Sequence, residues 1–220
     1  MPEVIINGPD GRLECRYMPS DVPDAPTALI LHPEPEQGGT MNNRVTYALY
    51  KHFQARGSAV LRFNFRGVGR SQGEYDNGEG ELSDAATAMD WLQAQNPASR
   101  ECWIAGFSFG SWIGMQLMMR RPEIQGFIAA TPPALTHDFS FLAPCPASGL
   151  IVHGEEDEQV PPGAVYKLVE RLSIQKGVTI DIDLVPGANH FFTDHLDPMI
   201  GQVSAYLDKT FTESNFDPLA

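Results

Sequence analysis

The stretch AGFSFGSW, residues 105–112, decides how the rest of the chain is read. It holds Gly106, Ser108 and Gly110 in the pattern G-x-S-x-G, which can present a serine on a tight turn as a nucleophile. The pattern occurs twice: GRSQG, residues 69–73, centres it on Ser71. The motif alone does not separate the two, so the flanks must. Ser71 follows the apolar run LRFNF (61–65) but precedes EYDNGEGE (74–81), which is too polar and glycine-rich to open a helix promptly. Ser108 follows the strand-like run ECWIAG (101–106) and enters SFGSWIGMQLMMRR (108–121), an apolar stretch of helical length closed by Pro122. Strand, turn and helix in immediate succession are what a serine nucleophile requires. The hydroxyl must stand clear of the sheet, side chains two positions away on either side would collide, and the positive end of the helix must face the developing negative charge. Ser108 is therefore the candidate nucleophile and Ser71 a loop residue.

Outward from this turn, the chain reads as alternating strands and helices. VIIN (4–7) and LECRYM (13–18), joined by GPDG, predict a hairpin. TALILH (27–32), AVLRFNF (59–65), ECWIAG, GFIAA (126–130), SGLIVH (148–153) and VTIDIDLV (178–185) predict further strands. Helices are expected over 44–56, 81–95 with Ser83 or Asp84 near its start, 108–121, 162–175 and about 195–211. Strands alternating with helices imply a mostly parallel sheet covered on both faces. No linker-like stretch interrupts the pattern, so residues 1–212 read as one domain and 213–220 as a tail.

Composition narrows the function classes. The formal charge of −13 argues against a nucleic-acid groove or adhesion to anionic lipid. No apolar run is long enough to span a membrane, and MPEVIINGPDGRLE has no signal-peptide pattern. Cys15, Cys102 and Cys145, odd in number and widely spaced, read as reduced thiols of a cytoplasmic protein. The expected partner is a small-molecule substrate, with neither nucleic acid nor membrane; the oligomeric state is left open.

A serine hydroxyl needs a base, usually histidine, oriented by a carboxylate. In open parallel sheets such groups sit at the carboxyl ends of strands. His190, in PGANHFF (186–192) after the last strand, fits best, with His195 as the fallback. His32 and His153 also end strands, but each abuts Pro or Gly and reads as a turn or packing residue. For the acid, GEEDEQVPP (154–162) offers four carboxylates, and the spacing Gly154-x-x-Asp157-x-x-Val160 selects Asp157. An oxyanion hole needs two backbone N–H groups. Phe109 supplies one. The loop HPEPEQGGT (32–40) supplies the other, with Glu34 first and Glu36 next, since Pro33 and Pro35 have no N–H.

With these blocks assembled, the chain resembles the α/β-hydrolase superfamily, and more narrowly the small bacterial cytosolic hydrolases related to dienelactone hydrolase. LHPEPEQGGTMNN (31–43), LRFNFRGVGRSQGE (61–74), AGFSFGSWIGM (105–115), HGEEDEQVP (153–161) and PGANHFF carry the resemblance over nearly the whole chain. It implies an α/β-hydrolase fold, with an eight-stranded sheet whose second strand runs antiparallel, and a triad of Ser108, Asp157 and His190. Two residues depart from that group's pattern: Glu34 stands where members often have histidine, and Ser108 where dienelactone hydrolases proper have cysteine. The expected chemistry is hydrolysis of carboxylic esters through an acyl-enzyme, without metal or cofactor. The same triad acting on thioesters or lactones or as an acyltransferase, or a silent hydrolase-fold binding protein, are the alternatives. The interval Thr131–Ala147 is too short and proline-rich for a large cap, so a short-acyl site is expected. Phe107, Trp112, Phe139, Phe141 and Phe191 are the expected walls of that site.

Overall fold

The continuous apolar runs become strands buried on both faces. In the computed structural model, which describes residues 3–142, 144–174 and 177–214, the strands are β1 (Glu3–Gly8), β2 (Gly11–Met18), β3 (Thr27–Leu31), β4 (Ala59–Phe63), β5 (Cys102–Phe107), β6 (Ile124–Ala130), β7 (Ser148–Gly154) and β8 (Ile180–Val185). They form one eight-stranded sheet in the order β1-β2-β4-β3-β5-β6-β7-β8. β2 pairs antiparallel with both β1 and β4, and every other pairing is parallel. The helices are α1 (Arg44–Ala55), α2 (Glu79–Gln95), α3 (Phe109–Met118), α4 (Pro162–Leu172) and α5 (Leu196–Ser214). One apolar cluster packs α2, α3 and α4 on one face of the sheet, and a second packs α1 and α5 on the other. This puts the end of β5, where Ser108 lies, in the middle of the sheet with β3 and β6 beside it.

Several boundaries differ from the pattern-based expectation. β4 stops at Phe63, short of the expected residue 65. Beyond it the Asn64 carbonyl accepts the Ser71 hydroxyl at 2.6 Å, and the Phe65 amide donates to His32 Nε2 at 3.0 Å. Ser71 also receives the Glu14 amide at 2.9 Å, while the Asn64 side chain bonds Glu14 and the Met41 amide. The loop of the second G-x-S-x-G is thus stitched to β2 and to the loop after β3. α2 begins at Glu79, two residues before the expected 81, because Glu81 accepts the Asp76 and Gly78 amides and caps the helix; Ser83 and Asp84 lie inside its second turn. Asp84 is instead buried in a two-pronged ion pair with Arg66: Nε to Oδ2 at 3.0 Å and Nη2 to Oδ1 at 2.8 Å, with the Arg66 amide also on Oδ2. Gly80 makes room for that guanidinium, since a Cβ there would lie 2.2 Å from Arg66 Nη1. α4 ends at Leu172; the expected end at Gln175 lies outside the described residues. α5 runs through Ser214, into the expected tail, of which 215–220 lie outside the described residues.

Between β6 and β7 the described residues form only the 3₁₀ turn Ser140–Leu142, so no large cap covers the carboxyl ends of the strands. Cys15, Cys102 and Cys145 are buried free thiols. No helix among the described residues is long and apolar enough to cross a membrane.

Candidate active site

The turn from β5 into α3 is a left-handed kink at a serine. Ser108 has φ +51° and ψ −119°, a conformation that costs about 1–3 kcal/mol in a residue with a side chain. The surrounding backbone enforces it. A Cβ on Gly106 would lie 2.4 Å from the Gly110 carbonyl, and one on Gly110 would lie 2.5 Å from the Leu31 and His32 carbonyl oxygens. The Ser108 amide donates to Ala130 at the end of β6, and its carbonyl accepts the Ser111 amide and hydroxyl. Both glycines therefore serve close backbone approach between neighbouring strands and the helix.

Three side chains meet on this turn. His190 Nε2 lies 3.1 Å from Ser108 Oγ, and His190 Nδ1 lies 2.8 Å from Asp157 Oδ2. Asp157 Oδ1 accepts the Gln159 and Val160 amides, both at 2.9 Å. Asp157 and His190 are buried while Ser108 is half-buried, so the line of groups opens outward at the serine. Burial alone would raise the Asp157 carboxyl. The hydrogen bonds from His190 and Val160, with the His190 and His153 rings close by, outweigh it and hold the group below the usual carboxylate range. The loops carrying acid and base are joined by main chain, Glu155 N to Val185 O and Glu156 N to Ala188 O. Gly154 permits this approach, since a Cβ there would lie 2.4 Å from Ala188 O.

Two backbone amides, that of Phe109 next to the serine in the chain and that of Glu34 in the loop after β3, have no acceptor among the described residues. The Glu34 amide is aimed by His32, a residue that the sequence reading set aside as packing. His32 is fully buried; its Nδ1–H donates to Pro33 O at 2.7 Å and its Nε2 accepts the Phe65 amide. In a trans peptide the N–H points opposite to the C=O, so clamping the Pro33 carbonyl turns the Glu34 N–H away from the imidazole. The Gly39 amide closes the loop on Glu34 O at 2.9 Å, and no residue with a Cβ fits there, because that atom would lie 2.1 Å from Pro33 O. The Glu34 carboxyl is half-buried near Tyr75 and is raised by burial above its ordinary range.

The expected walls divide. Phe191 is 50% exposed and packs against His190; Trp112 is half-buried over Phe109 and donates its indole N–H to Asp138 O. Phe107 is fully buried, behind His190 and Phe191, and cannot line a substrate site. Strand alternation puts it on the face of Trp103 and Ala105, in the core with α1 and α5. Phe139 and Phe141 stack at 6.1 Å in the loop after β6. Phe139 is buried, though its edge borders a cleft of about 550 Å³ between that loop and α4, shared with Leu135, His137 and Leu168. Tyr75 and His137, which the sequence reading missed, pack on Phe109 at 6.1 Å each. They sit in irregular loops, where no periodicity flags a ring.

A solved structure from Xanthomonas campestris, described as an α/β serine hydrolase without lid, is 33% identical, covers 94% of each chain and superposes with a TM-score of 0.85. The chain belongs to the α/β-hydrolase superfamily. Residues 12–140 of this hydrolase match the family model described as X-Pro dipeptidyl-peptidase (S15 family), and residues 145–213 match the prolyl oligopeptidase family. An Agrobacterium tumefaciens protein of unknown function, described as an α/β hydrolase, is 57% identical over 96% of this chain and 97% of its own, with a TM-score of 0.95. An uncharacterized protein of Rickettsia prowazekii is 50% identical to this hydrolase over 94% of this chain and 89% of its own.

Proposed function

We propose that this hydrolase cleaves carboxylic esters of short acyl chains through an acyl-enzyme on Ser108. The observation that carries the reading is the unbroken hydrogen-bonded line Ser108–His190–Asp157; the acceptor-free amides of Phe109 and Glu34 are the candidate oxyanion donors. His190 takes the serine proton as Oγ attacks the carbonyl carbon. Asp157 holds the ring with Nδ1 protonated and balances the imidazolium. The two amides receive the oxyanion, and His190 then delivers the proton to the leaving alcohol. Water repeats the sequence to release the acid. Tyr75, Trp112, His137 and Phe191, gathered round Ser108, Phe109 and His190, supply apolar surface on which a small acyl group or alcohol can rest.

The test is covalent labelling followed by turnover. A fluorophosphonate probe is expected to modify wild type at Ser108, since an activated serine attacks phosphorus as it does a carbonyl. Ser108→Ala is expected to abolish labelling; labelling that survives this change refutes the nucleophile. The matches to two peptidase families favour amides as the second reading. Comparison of p-nitrophenyl butyrate with an X-Pro p-nitroanilide discriminates: faster cleavage of the anilide would replace the ester reading.

A further inference from the structure

Two buried imidazoles converge on Asp157, and only one of them is in line with Ser108. His153, near the end of β7, is fully buried and has no part in the hydrogen bonds from Asp157 to the serine. Its Nε2 lies 2.8 Å from the Val160 carbonyl and 3.5 Å from Asp157 Oδ2. A carbonyl and a carboxylate can only accept, so Nε2 carries the proton. The other ring nitrogen, Nδ1, is then a bare lone pair. It is buried and has no partner among the described residues. Burial holds this ring below its ordinary pKa, which keeps it a neutral dipole. An apolar side chain would remove the stranded lone pair, so packing does not explain an imidazole here.

The position does. Val160 donates its amide to Asp157 Oδ1 and offers its carbonyl to His153. The turn that begins at the acid is therefore tied at its far end to β7, four residues before Asp157.

We propose that His153 is a positioning residue for the catalytic acid, its one N–H tying Val160 and flanking Asp157 Oδ2 so that the carboxylate keeps its aim on His190. The inference rests on the proposed triad. The torsion that orients a carboxylate is broad and soft, so its direction is set by donors. Oδ1 has two backbone donors, and Oδ2 has His190 and the edge of His153. Without His153, the Val160 carbonyl is buried without a donor, the turn relaxes, and Oδ2 keeps only the partner it is meant to orient. His153 meets Val160 and Asp157, and Ser108 lies beyond His190 from them, so the loss is expected in the chemical step and not in binding.

The experiment compares His153→Gln, whose amide nitrogen can stand where Nε2 stands, with His153→Leu, which has no donor. Wild type is first labelled with the fluorophosphonate; absence of labelling at Ser108 overturns the triad and this proposal with it. Given labelling, the expected result is that folded His153→Leu loses on the order of tenfold or more in kcat on p-nitrophenyl butyrate, with KM nearly unchanged. Its labelling rate is expected to fall in parallel, and His153→Gln to recover most of both. Wild-type kcat in a folded His153→Leu, or an equal loss in His153→Gln, overturns the positioning role while leaving the triad standing. Should the leucine variant not fold, His153→Asn replaces it, its amide being too short to reach Val160. Activity of His153→Asn equal to that of His153→Gln overturns the proposal.

Discussion

At the scale of residues, the two serines of the repeated motif have opposite physical characters. Ser108 is strained and half-exposed, whereas Ser71 is buried and satisfied, bridging the Glu14 amide and the Asn64 carbonyl. Ser71→Ala is therefore expected to keep fluorophosphonate labelling while losing about 1–3 kcal/mol of stability, because buried polar groups lose their partner; urea unfolding reads the loss. Unchanged stability would mean that the loop is not held by this hydroxyl. Asp157→Asn is expected to lower kcat by up to about 10⁴, since an amide can hold the wrong tautomer of His190. Glu155→Gln, Glu156→Gln and Glu158→Gln are expected to leave kcat within a few-fold, and an essential glutamate would shift the assignment of the acid. What was legible here was the glycine logic: Gly106 and Gly110 announce close backbone approach without any structure. The roles of His32 and His153 were not legible. Both satisfy the strand-end rule that picked out His190, but a buried imidazole bonded to a carbonyl looks, in sequence, like any packing histidine. Phe107 could have been excluded by the two-residue period of β5.

At the scale of elements, the proposed short-acyl preference rests on the segment joining β6 to β7. It is seventeen residues long, Thr131–Ala147, and its described part folds no further than one 3₁₀ turn. Each buried methylene is worth about 0.8 kcal/mol, but only while there is protein to bury it. A kcat/KM series over p-nitrophenyl esters is therefore expected to peak at short chains, about C2 to C6, and to gain nothing beyond. A climb through C10 to C16 would mean that the cleft beside α4, bordered by Phe139 and Leu168, receives the chain. Strand and helix identities followed from apolar periodicity. Their ends did not: β4 stops where the backbone turns to His32 and Ser71 instead of the sheet, and α2 starts at a local cap, Glu81 on the Gly78 amide, after two left-handed residues, Asn77 and Gly78, that no apolar period marks.

At the scale of the whole molecule, neutral histidines make stability depend on pH. Burial lowers His32 from its ordinary 6.5 to about 4, despite the opposing hydrogen bond to Pro33. The unfolded chain takes up this proton below about 6.5, and the folded one only near 4. Stability is thus complete above that window and falls as pH drops through it, by about 3 kcal/mol for this residue. Urea midpoints from pH 7 to 4 are expected to fall less steeply in His32→Gln; parallel curves would refute the assignment. Local pattern yields the strands and the β1–β2 hairpin but not the order across the sheet; that β2 runs against the rest of the sheet was legible only through the resemblance of whole blocks. The Arg66–Asp84 pair, shielded over Gly80, extends the same theme of distant partners into inheritance. Replacing either partner alone strands a buried charge, at about 3–5 kcal/mol, whereas replacing both with apolar residues is close to neutral. Lineages descending from this chain should thus carry arginine and aspartate together or lose them together, with single-substitution intermediates purged, so that the two positions evolve as one heritable character.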